Sequence, residues 1–63
     1  MTPERAIELV GRWPKDRSVP RQLAGGIKQA SGETRRRLGM LVEALQAASR
    51  TQADLDLIEK YFG

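Results

Sequence analysis

The chain has 63 residues, with 11 Lys and Arg against 8 Asp and Glu, a net charge of +3 at pH 7, and neither cysteine nor histidine. Without cysteine there are no disulfides, thiolate zinc sites or iron–sulfur clusters. Without histidine there are no imidazole ligands and the commonest general base is missing, so one small domain spanning residues 1–63, without catalysis or cofactor, is predicted.

Thr2-Pro3-Glu4 opens a helix: an N-cap hydroxyl, proline at the first position and an acid in the first turn. Ala6, Ile7, Leu9, Val10 and Trp13 give it a broad apolar stripe. Gly11 and Pro14 end it near Arg12, because the residue before proline avoids helical geometry. Lys15-Asp16-Arg17-Ser18 is a polar turn. Val19-Pro20 restarts the chain, and Leu23, Ala24, Ile27 and Ala30 fall on one helical face. Gly25-Gly26 in that helix costs about 1 kcal/mol per glycine against alanine, or admits a close neighbour.

Ser31-Gly32 separates this helix from a third. There Leu38, Leu41, Val42 and Leu45 form one stripe, extended by Ala48. Met40, Ala44 and Ala47 form a second, which predicts a second neighbour. Thr51-Gln52-Ala53-Asp54 is a capping-box variant. It opens a fourth helix with Leu55, Ile58 and Phe62 as its inner face and Leu57 and Tyr61 paired at i, i+4. No stretch alternates with period 2. The fold class predicted is all-α, a small bundle of four short helices.

A domain of about 60 residues buries only about 60% of its unfolded surface. With no covalent staple, a larger protein partner or a homodimer is the physical remedy. No apolar run approaches the 18 or so residues of a membrane span. The start, MTPERAIEL, lacks the basic-then-apolar order of a secretory signal. The expectation is a cytoplasmic protein without membrane contact.

The charge is unevenly placed. Residues 12–37 hold eight cations against two acids, a net +6, while residues 51–63 are net −2. A basic middle suits phosphates or an acidic protein surface. The contact candidates are therefore Arg12, Trp13, Lys15, Arg17, Arg21, Arg35, Arg36 and Arg37, with Tyr61 and Phe62 at the other end. Arg35-Arg36-Arg37 fan over about 200° of a helical turn, so they do not share one groove, and a solvated flank is the plain alternative. Trp13 beside Arg12 and Lys15 reads as a stacking platform or as the lid of a small core, the commoner role. Asp54 and Asp56 point to different sides of a helix, and capping explains Asp54 without a metal.

Two patterns bear on function. Gln22-Leu23-Ala24 through Leu45 reads as a helix–turn–helix, with Ser31, Thr34, Arg35 and Arg36 opening a recognition helix. Gly25-Gly26 in the scaffold helix and the missing wing strands depart from that pattern. The second pattern is local. In Asp16–Leu23, Val19 packs ahead of the helix, Pro20 fixes its first turn, Asp16 or Ser18 accepts from free N–H groups, and Arg21 is placed to pair with Asp16.

Asp16-Arg17-Ser18-Val19-Pro20-Arg21-Gln22-Leu23 also resembles the signature of a small archaeal all-helical family, Asp-x-[Ser/Thr]-Val-Pro-[Arg/Lys]-Asn-[Ile/Leu], with Gln22 in place of the asparagine. The resemblance implies a compact bundle without catalytic activity. It also implies a role like that of the family's accessory subunit of the crenarchaeal replicative family-B DNA polymerase. The chain departs from the family by its shorter length and by Ser49-Arg50-Thr51-Gln52 in place of an Asp-Pro-Asn-x-Pro turn. It also has Tyr61-Phe62 where the last helix of the family carries tryptophan. The leading expectation is a non-catalytic accessory or adaptor protein that docks on a larger protein in DNA replication. The rival is nucleic-acid binding through Ser31–Arg37, and a third reading is a self-associating dimer.

Overall fold

A computed structural model of the chain describes all residues from Met1 to Gly63 as four helices without strands: α1 (Pro3–Val10), α2 (Val19–Gln29), α3 (Gly32–Ala48) and α4 (Gln52–Phe62). The α1 cap is as expected, with Thr2 Oγ1 accepting from Arg5 N–H at 3.2 Å. The helix stops at Val10, two residues early. The chain continues in tight turns in which Arg12 N–H donates to Leu9 O at 2.9 Å and Trp13 N–H to Val10 O at 3.1 Å. The Trp13–Pro14 peptide is cis.

The entry to α2 is built from side chains of the turn. Asp16 Oδ1 accepts from Ser18 N–H at 2.9 Å and from the Ser18 hydroxyl at 2.6 Å, and Ser18 Oγ accepts from Gln22 Nε2 at 2.8 Å. The expected Arg21–Asp16 pair does not form: Ser18 takes Asp16 Oδ1 with two bonds, and Arg21 stays exposed. Val19 and Pro20 are buried at the first turn. Gly26 is buried too, and a Cβ there would meet Met1 Sδ at 2.9 Å. The close neighbour is thus a methionine side chain lying across α2. Gly32 opens α3 at φ +59°, a conformation that glycine adopts without the Cβ clash of other residues.

α2 and α3 form the central pair: each packs against the three other helices, while α1 and α4 do not meet. Leu38 and Leu45 from α3 are fully enclosed by Ala6, Leu9, Trp13, Val19, Leu23 and Ile58, with Leu41 and Val42 partly buried at the edges. The second α3 stripe is largely uncovered: Met40 is 67% exposed and Ala47 also faces outward, while Ala44 is half-buried. All three partners crowd the Leu38–Leu45 side. α4 is rotated from its expected pose. Ile58 is buried and Phe62 packs on the core, but Leu55 is 42% exposed and Leu57 takes the inward place.

Candidate functional site

The turn after α1, the start of α2, the start of α3 and the end of α4 hold the predicted contact residues. The structure divides them sharply. Trp13 is only 5% exposed. Its Nε1–H donates to Leu45 O at 3.0 Å and to Ser49 Oγ at 3.2 Å, tying the α1 exit to the C-terminal turn of α3. The Arg17 guanidinium lies 4.8 Å from the ring centroid. With its edge bonded and its face covered, Trp13 takes the core role that was the commoner of its two readings, and it does not offer a platform for a base or a partner.

Arg17 is likewise engaged. Its Nη1 donates to Pro14 O at 3.2 Å and forms an ion pair with Asp54 Oδ1. Arg12 donates to Glu8 Oε1 at 3.1 Å, an oxygen it shares with Arg5. Arg37 pairs with Glu33 at 3.4 Å along α3. Lys15, Arg21, Arg35 and Arg36 are exposed and have no acidic partner. Tyr61 is half-buried beneath Lys60, whose ammonium lies 5.6 Å from the ring centroid.

Asp54 organises the corner. Its Oδ2 accepts from Arg50 N–H at 2.8 Å and Thr51 N–H at 3.2 Å, and Thr51 Oγ1 accepts from Asp54 N–H at 3.2 Å. This completes the capping box. The Arg50 N–H, then the Arg17 guanidinium, lower its pKa from 3.8 to about 2 against the opposing effect of burial. The capping pattern was legible in the sequence, but Arg17 as partner was not.

Three hollows result. Between α3 and α4 a groove of about 540 Å³ is floored by Val42, Ile58 and Phe62 and walled by Leu55, with Gln52 and Glu59 on its rim. At the corner a cleft of about 460 Å³ brings Lys15 and Arg17 against Arg50, Thr51 and Asp54. Across α1 and α3 a shallow hollow of about 270 Å³ runs between Ile7 and Met40. Arg50 and Leu55 were not singled out as contact residues. Arg50 lies outside the dense basic run, and Leu55 reads as core by its spacing.

No helix is long and apolar enough to cross a membrane. No protein-family model, curated protein or solved structure matches the chain.

Proposed function

We propose that the protein is a non-catalytic cytoplasmic adaptor that docks on a larger protein through the α3–α4 groove. The observation that carries this reading is Leu55, a large aliphatic side chain 42% exposed at the wall of a groove floored by Val42, Ile58 and Phe62. Apolar surface arranged along two adjacent helices suits the apolar face of a third. Asp56 and Glu59 on α4 carry no cationic partner, so the occupant is an amphipathic helix with Lys or Arg along its flank. The resemblance of residues 16–23 to the archaeal family makes a replicative family-B DNA polymerase the partner to test. Titration calorimetry against that polymerase, with and without duplex DNA, is the experiment. Saturable binding that DNA leaves unchanged, weakened at least tenfold by Leu55→Glu, is expected. No heat of binding, or binding only when DNA is present, overturns the reading.

A second reading rests on Arg35 and Arg36, exposed and unpaired on the first turns of α3. It has α3 contact nucleic acid directly. Unchanged retention of the Arg35→Ala, Arg36→Ala double variant on immobilised DNA sinks it.

A further inference from the structure

The cleft at the corner of the bundle is lined by different residue types from the α3–α4 groove. Apart from Pro14, every side chain lining it is polar or charged: Lys15, Arg17, Arg50, Thr51 and Asp54. We infer that this cleft is a binding site for a phosphate group, presented by a nucleic-acid strand or as free phosphate.

Two segments far apart in sequence supply the cations. Lys15 and Arg17 come from the turn after α1, and Arg50 from the link between α3 and α4. Lys15 and Arg50 are exposed and form no ion pair. Arg17 spends only Nη1 on Asp54 and Pro14 O, which leaves Nη2 and Nε as free donors. The one acid in the cleft is already consumed: Asp54 Oδ1 by Arg17, and Oδ2 by the Arg50 and Thr51 N–H groups. Asp54 therefore acts as the anchor that holds both cationic segments in place. Asp16, next in sequence to Lys15, is bonded to Ser18 and lies outside the cleft lining.

Three cations from two segments suit a tetrahedral oxyanion better than a planar carboxylate, which one guanidinium fork satisfies. The cleft offers no open aromatic face, because the Trp13 ring is buried beneath Arg17, and Pro14 is the one nonpolar residue that lines it. It therefore grips the phosphate and not the group attached to it, and sequence-independent contact follows.

The test is a pair of NMR titrations of the full chain at matched ionic strength. One uses inorganic phosphate against chloride, and the other a twelve-nucleotide single strand and a twelve-base-pair duplex. Saturating amide shifts at residues 15–17 and 50–52 are expected, lost in the Lys15→Ala, Arg50→Ala double variant and retained in the Arg35→Ala, Arg36→Ala variant. Both targets of the first variant are exposed and their side chains form no hydrogen bond or ion pair, so the fold should survive the change. If a strand binds, the log–log salt slope falls by about 1 for each cation removed. Shifts with an oligonucleotide, alone or beyond those with phosphate, identify a strand as the source. Shifts with inorganic phosphate alone identify the free anion. Phosphate acting no differently from chloride together with oligonucleotide shifts confined to residues 35–37, or no shifts at all, overturns the proposal. So does unaltered binding by the double variant.

Discussion

The Arg17 guanidinium reaches the Asp54 carboxylate across 37 residues of sequence, and the same arginine covers the face of Trp13. One side chain thus joins the turn after α1 to the cap of α4, two helices that do not touch. Asp54 serves as helix cap, ion-pair partner and anchor of Arg50. Asp54→Ala leaves two backbone N–H groups without their acceptor and unmakes the capping box. A drop in Tm of roughly 5–10 °C is expected for a domain of this size. Arg17→Ala costs less, because half of that side chain stands in solvent. Thermal unfolding of both single variants and the double variant should show that the losses do not add.

The lowered pKa of Asp54 fixes the sign of one pH effect. Its carboxylate is favoured in the folded state, so its contribution is complete above its ordinary value of 3.8 and is lost as pH falls towards about 2. Asp16 is shifted in the same direction, chiefly by the Ser18 hydroxyl. Melting curves from pH 6 to pH 2 should fall more steeply for the wild type than for Asp54→Asn, with the difference confined to the window below about pH 4. Parallel curves would show that the folded state does not favour the ionised form.

Trp13 is the only tryptophan, and its indole bonds to Leu45 O and Ser49 Oγ. Trp13→Phe keeps most of the ring and loses the donor, for an expected cost of about 1–2 kcal/mol. Trp13→Ala costs about 3–5 kcal/mol. At about 0.05–0.15 kcal/mol per residue, the whole chain has about 3–9 kcal/mol, so the alanine variant should lose a large share of its stability, read as a lower midpoint by far-UV circular dichroism. In the wild type, emission should be blue-shifted and poorly quenched by iodide, and both properties should vanish together in denaturant.

The glycines separate by environment. A Cβ at Gly25 or Gly39 meets nothing within 4 Å. Each lies inside a helix, so Gly25→Ala and Gly39→Ala should each stabilise by about 0.5–1 kcal/mol. At Gly26 the same change pushes against Met1, a flexible side chain, and the gain should shrink. Gly32→Ala should lose about 1 kcal/mol, because φ is +59° there. Urea midpoints of the four variants should rank in that order.

The sequence made the helices legible because their signals are local: a threonine cap with proline at the start of α1, a capping box at α4, and leucines seven apart at Leu38 and Leu45. What escaped depends on how one helix is turned against another. A modest rotation of α4 exchanges Leu55 for Leu57 on the inner side, and periodicity alone admits either. The uncovered Met40 stripe reflects the count of neighbours on one side of α3, a tertiary fact. The Arg17–Asp54 pair joins distant segments, and no spacing rule reports it. Of the basic run, the sequence marked the charges but not their pairing, so Arg12, Arg17 and Arg37 looked as available as Lys15, Arg21, Arg35 and Arg36.

Because α2 and α3 each touch every other helix while α1 and α4 never meet, loss of either central helix removes one of the only two neighbours that each outer helix has. Separate half-folded species are therefore disfavoured, and the chain should open as a single cooperative unit. Native-state hydrogen exchange gives this a direct form. The amides of Leu41 through Leu45 should exchange last, at the rate set by global unfolding, and those of the first turn of α1 and the last turn of α4 should exchange by local fraying long before.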